Sequence, residues 1–154
     1  MLTCVPQGWF SGNFNISGGS GAIAVTFDWT TEQGTISINQ KLFMVRKHGW
    51  ASGHWTLEEG TAAIADAQKT SVLAREFEIR GGETFLKMRG VLLSRQFVLE
   101  QGGREIGRIA PEHAFTRRTT IACAAEIPEH LLVFAFWLAA LMWRRDNHSA
   151  GAGS

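Results

Sequence analysis

Two histidines six residues apart, His48 and His54, flank a predicted turn, with Trp50 and Trp55 close by in the chain. Imidazoles at that spacing on paired strands can reach one metal ion, but no third ligand is placed near them, so no metal centre is expected. Cys123 and His130 are the residue types of a thiol nucleophile and its base. Cys123 lies in the small-residue run TTIACAAE, which is expected to be buried against a following helix, and a buried thiol is an inert core group. The stretch SGGSGA at 17–22 is followed by no lysine and opens no helix, which makes it a hairpin turn rather than a phosphate loop. Glu58, Glu59, Glu100 and Glu105 fall on outer strand faces or turns and form no acid–base pair across a cleft. No catalytic residue and no cofactor is therefore expected.

Four arginines remain: Arg117 and Arg118 before the last predicted strand, and Arg144 and Arg145 after the last apolar run. The strand from about Arg117 to Glu126 covers roughly 30 Å, or less if it is tilted along a barrel axis. A helix from Pro128 to Arg144 returns about 25 Å. The two lengths nearly cancel, so the four arginines are expected at one mouth of the fold. Guanidinium groups there can hold phosphates or face an anionic membrane surface. The plainer alternative is that two complement the helix C-terminus and two are solvated rim.

The helix in that construction is IPEHLLVFAFWLAALMWRRDN, residues 127–147. Its unbroken apolar part, 131–143, is about 20 Å long as a helix, short of the roughly 30 Å hydrocarbon core of a bilayer. Pro128 suits a first helical turn, Glu129 the positive end of the dipole, and Arg144 and Arg145 the negative end. Apolar on every side, the helix (about 128–145) is expected to be buried on every side, with no transmembrane span.

From Gly8 to Glu126 the pattern has period two and is punctuated by glycine. Ile23, Val25 and Phe27 share one face; so do Phe77 and Ile79, and Phe97 and Leu99. Bounded by SGGSG, EQG, EEG, RGG and QGG, these runs read as eleven or twelve short antiparallel strands. Part of the region looks duplicated, 35–66 over 76–108, with a period of about 41 residues. That alignment sets Ile36 and Ile38 on Phe77 and Ile79, and Gly49 on Gly90. With one extra residue in the second copy, Trp55 meets Phe97, Leu57-Glu58 meets Leu99-Glu100, Gly60 meets Gly102, and Ile64 meets Ile106. A sheet closed into a barrel around the helix is the arrangement that buries an all-apolar helix in an all-strand chain. The expected organisation is a leader over 1–7, one barrel-plus-helix domain over 8–145, and a disordered tail over 146–154. Trp137 and Trp143 belong to the helix core. Trp9, Trp29, Trp50 and Trp55 lie near strand ends, where aromatics close a barrel rim or dip into a membrane interface.

Composition fits a single globular domain, with 45% apolar and 19% charged residues in 154. A net charge of +1 argues against a dedicated nucleic-acid binder. Cys4 and Cys123 form no CxxC pairing, which is compatible with a reducing cytoplasm, and MLTCVPQGWF has neither the basic start nor the apolar segment of a signal peptide.

The glycine-bounded strand pairs, GREIGRI at 103–109 and the closing HLLVFAFWLAALMWRR together resemble the tubby C-terminal-like superfamily, which includes tubby, the phospholipid scramblases and the LURP-one-related proteins. The resemblance spans Gly8 to Arg145 and implies a twelve-strand barrel around a C-terminal hydrophobic helix, here in a minimal, bacterial-type version. The scramblases' cysteine-rich palmitoylation segment has no counterpart, and only Asp146 stands where their calcium site would be. The basic side chains of tubby-type phosphoinositide recognition have no residue-by-residue match. The expected function is a non-enzymatic interaction domain or a peripheral adaptor at an anionic lipid surface, cytoplasmic, with lipid or protein as partner. The alternatives are a barrel binding a small hydrophobic ligand and a protein anchored in the membrane by its C-terminal helix.

Overall fold

The computed structural model describes residues 1–8 and 12–152, with side chains described to Ser149. Twelve strands follow in order: β1 (Leu2–Pro6), β2 (Phe14–Ser17), β3 (Ile23–Asp28), β4 (Gln33–Ile38), β5 (Lys41–His48) and β6 (His54–Glu59), then β7 (Ala62–Lys69), β8 (Glu76–Gly81), β9 (Thr84–Gly90), β10 (Phe97–Gln101), β11 (Arg104–Pro111) and β12 (Thr119–Cys123). Each pairs antiparallel with its sequence neighbours, and β1 closes the barrel on β12. Closure leaves no edge strand to template aggregation. The last element, α1 (Glu129–Ala152), is the only helix among the described residues.

The period-two pattern holds because one face of every strand meets α1. Val25, Ile36, Trp55, Leu57, Phe77, Ile79, Leu86, Met88, Phe97 and Leu99 point inward and are buried, as is every α1 residue from Val133 to Trp143. The helix touches the barrel all round. Phe136 meets Phe14 of β2, Trp137 stacks on Phe27 of β3, His130 stacks on Phe43 of β5, and Leu131 lies against Gly81 of β8. Two glycines make room for it. A Cβ on Gly34 would stand 2.9 Å from the Trp137 Nε1, and one on Gly81 would stand 2.6 Å from a Leu131 methyl. Trp137 uses that space to donate to the Thr26 carbonyl at 3.1 Å. The barrel encloses the apolar stretch of α1 from Val133 to Trp143. Among the described residues no helix is long and apolar enough to cross a membrane.

Three expectations need correction. Residues 1–7 are not a leader: Leu2 and Cys4 point into the core, and β1 pairs with both β2 and β12. Two inward residues before Pro6 are too short a pattern to announce a strand. Asp146 to Ala152 are not a disordered tail but the last turns of α1, tied at their start by an Asp146–Arg75 ion pair of 3.5 Å; residues 153–154 lie outside the described residues. The first hairpin of the aligned halves is also in a different register. Its turn at 39–40 corresponds to the turn at 82–83, so Ile36 corresponds to Ile79, 43 residues on rather than 41. The second hairpin keeps the offset of 42. Ladders β6–β7 and β10–β11 shift register after Leu57 and after Leu99, and the unpaired bulge residues are Ile64 and Ile106.

Candidate functional site: the cationic mouth

Successive hairpins in an up-and-down barrel deliver their turns to alternate ends, so the topology sorts the loops. At one end, here the floor, β4–β5, β6–β7, β8–β9 and β10–β11 are joined by two residues each. At the other, the mouth, the loops are 29–32, 49–53, 70–75, 91–96 and 112–118, together with 7–13. Running from the floor, α1 leaves through the mouth.

Arg117, Arg118, Arg144 and Arg145 all stand at this mouth, though they do not converge on one phosphate-sized point. Arg145 forms a bidentate pair with Glu32, at 2.6 and 2.7 Å, and lies over the Trp55 ring. Arg144 lies 5.1 Å over Trp29. Arg117 lies over Phe14 and donates to the Gly8 carbonyl, while Arg118 pairs with Glu112 at 3.0 Å. The helix and strand lengths bring them to one rim, and local partners then spread them around it.

Sequence reasoning missed the cations that complete the ring. Lys47 shares Glu32 with Arg145, Arg75 lies 4.9 Å over Phe97, and Arg95 lies 5.4 Å over Trp143 while Trp143 donates to the Arg95 carbonyl. Lys69 faces Arg145 across a cleft bordered by the 49–53 and 70–75 loops. The available signal was loop order: once strands are numbered, each of these residues borders an alternate loop. The rings beneath them close the barrel. Trp137, Phe27 and Trp29 stack at 5.0 and 4.4 Å with Arg144 above, four layers from axis to rim. Of the four rim tryptophans considered, Trp29 and Trp55 close the barrel, Trp50 is exposed, and Trp9 lies outside the described residues.

The charges are crowded enough to act on one another. The Arg145 guanidinium, opposed by burial and helped by Lys47, holds the Glu32 carboxyl down at about 2. Burial and then Arg145 lower the pKa of Lys69. Burial and then Arg117 lower that of Arg95. Beside Arg95, an open cleft of about 680 Å³ runs between the 91–96 and 112–118 loops, bordered by Arg75, Gln96 and His113. The Arg75 Nε on this cleft is buried and has no hydrogen-bond partner. Counting each loop with two residues on either side, together with Arg144 to Asp146 of α1, the mouth carries nine Lys and Arg against five Asp and Glu; the floor, with its 18–22 and 124–128 segments included, carries three against seven.

The other residues considered for chemistry are engaged elsewhere. His48 and His54 are cross-strand partners with rings 4.9 Å apart; His48 bonds the Thr56 hydroxyl and His54 lies 3.8 Å from Asp66. No group of three or more metal-ligating side chains occurs among the described residues. Cys123 is half-buried rather than buried, with its thiol on the Ala125 carbonyl, while His130 stacks on Phe43, its pKa lowered by burial. The buried cysteine is Cys4, whose thiol burial pushes far up. Ser20 of the 17–22 turn donates backbone and side chain to Glu129 at the start of α1. Glu58, Glu59, Glu100 and Glu105 pair across the outer wall with Arg46, Lys41, Arg89 and Arg108. No protein-family model, no curated protein and no solved structure matches the chain.

Proposed function

We propose that this protein is a non-enzymatic, peripheral membrane-surface domain that docks its mouth on anionic lipid head groups. The observation that carries the reading is the separation of charge along the barrel axis: the mouth has a surplus of cations, the floor a surplus of anions, and the whole molecule is close to neutral. A surface of that kind is drawn to a negatively charged plane and orients on it, with each basic group near the plane worth about 1 kcal/mol. Arg95, Arg117 and Arg144 are exposed at the mouth. Among the described residues the outer wall bears cross-strand Lys/Arg–Glu pairs and few exposed large apolar side chains, unlike the apolar band of a barrel that spans a bilayer. α1 fills the axis where an up-and-down barrel would hold a small ligand. The plan is also that of the tubby-like superfamily, and by architecture alone we set the chain beside that group.

The test is flotation of detergent-free protein with phosphatidylcholine vesicles, with and without phosphatidylserine, over a range of salt. Flotation with the anionic vesicles alone, weakening as salt rises, is the expected result. Equal flotation with both, or none with either, would overturn the reading.

A further inference from the structure

Apolar side chains normally leave water when a barrel closes, and singly exposed ones on loops pass without comment. Here their distribution is not scattered. Trp50, Val72, Leu73, Leu92, Leu93 and Phe115 are each 83–98% exposed, and all six sit on four mouth loops: 49–53, 70–75, 91–96 and 112–118. The next most exposed large apolar residue among the described ones is Met1, 80% exposed and at the floor; the remaining exposed ones are on strands and are 36–55% exposed. These four loops are neighbours around the barrel, because β5 to β12 are consecutive in the sheet. They form one continuous arc of the rim.

We infer that this arc is a membrane-inserting edge whose loop tips enter the head-group and upper acyl region of an anionic bilayer. The inference rests on the membrane-docking reading above and adds a second, apolar component to it. Charge complementarity selects the occupant. Each tip stands beside basic groups: Trp50 shares a cleft with Lys69 and Arg145, Leu73 is beside Lys69 and Arg75 in the chain, Leu93 beside Arg95, and Phe115 beside Arg117 and Arg118. A bilayer surface offers phosphates at one depth and hydrocarbon just below. Separate apolar tips with cations between and behind them match that layering, with the tips below and the guanidinium groups at the phosphates. A protein partner would instead need one contiguous apolar centre with charge depleted from it. The polar last turns of α1 leave through the same mouth, so an upright barrel would press Asp146 to Ser149 into the bilayer. Contact through the arc tilts the barrel and keeps them among the head groups.

The experiment uses the full chain and phosphatidylcholine–phosphatidylserine vesicles, with brominated acyl chains as depth-dependent quenchers. Trp50 is compared with a Trp50→Phe control, which removes the reporter and keeps an apolar tip. The expected result is tryptophan quenching that the control loses while still floating. A Leu73→Ser, Leu93→Ser, Phe115→Ser triple variant is expected to lose affinity by at least roughly tenfold, since one buried large side chain is worth about that much. At these exposed positions its thermal unfolding should match the wild type. Undiminished affinity of the triple variant, with no quenching, would overturn insertion and leave electrostatic docking standing. Absence of any binding to anionic vesicles would remove both proposals. A wild-type dimer in solution that the triple variant dissolves would reassign the arc to self-association and overturn the inference.

Discussion

The mouth and the floor of this barrel are built from the same strands, yet they differ in everything the strands do not dictate. Floor turns are two residues long at four of the hairpins, while mouth loops run to seven. At the floor, positive-φ residues such as Asn39, Gln40, Gly82, Gly102 and Gly103 make each reversal as short as the twist allows. The mouth holds longer segments, which carry the exposed apolar residues and most of the unbalanced positive charge. Floor charge is acidic and partly spent on structure, as where Glu129 secures Ser20 at the start of α1. The difference teaches where selection for function can act: short turns serve closure, and long loops above a rigid, fully packed barrel are free to recognise something.

The comparison can be broken most severely through the core that both ends share. Trp137→Ala removes a buried ring, its bond to Thr26 and the base of the Phe27–Trp29–Arg144 stack, and is expected to cost about 3–5 kcal/mol in urea unfolding. Hydrogen exchange should rise more at the mouth than near Leu131 and Gly81, because the stack leads only to the mouth. A smaller effect is expected for Glu32→Gln, which strips Arg145 and Lys47 of their shared carboxylate and should cost about 1–3 kcal/mol. The same change adds one uncompensated positive charge to the mouth, so anionic-vesicle binding should tighten while stability falls. Acid should act like this variant. With the Glu32 carboxyl depressed from its ordinary 4.5 to about 2, its stabilisation is complete above the ordinary value and is lost as pH falls through about 2. Acid unfolding of the wild type below pH 4.5 should therefore be steeper than that of Glu32→Gln.

At the floor, Glu129→Gln weakens the two Ser20 bonds and removes a carboxylate from the first turn of α1, an expected loss of about 0.5–1.5 kcal/mol with vesicle binding unchanged. The smallest effect is expected of Glu83→Gln in an exposed floor turn, within about 0.5 kcal/mol of wild type and without change in binding.

Much of this is legible in the sequence. The apolar run at 131–143 had to be enclosed, and alternating residues such as Phe77, Ile79, Phe97 and Leu99 supplied the enclosing face. Strand and helix lengths placed the four arginines at one mouth. What could not be read came from contacts between distant segments. Nothing local in LTCVP announces a strand, since β1 exists by pairing with residues 119–121 and 14–17. Helix continuation past Arg145 rests on no apolar pattern, and the register of the first hairpin depends on a turn at Asn39-Gln40 that carries no glycine. Glu32, which organises Arg145 and Lys47, lies 113 and 15 residues from its partners. The apolar tips were visible as residue types, but their exposure follows from loop placement once all twelve strands are counted.

The most direct test of the central claim is to float two variants side by side on phosphatidylserine-containing vesicles. One neutralises the mouth (Arg95→Gln, Arg117→Gln, Arg144→Gln), and the other neutralises the floor (Glu83→Gln, Glu105→Gln, Glu126→Gln). Loss of flotation for the mouth variant, with the floor variant floating at least as well as wild type, is the predicted result. Equal flotation of the two variants would contradict the assignment of the mouth as the docking face.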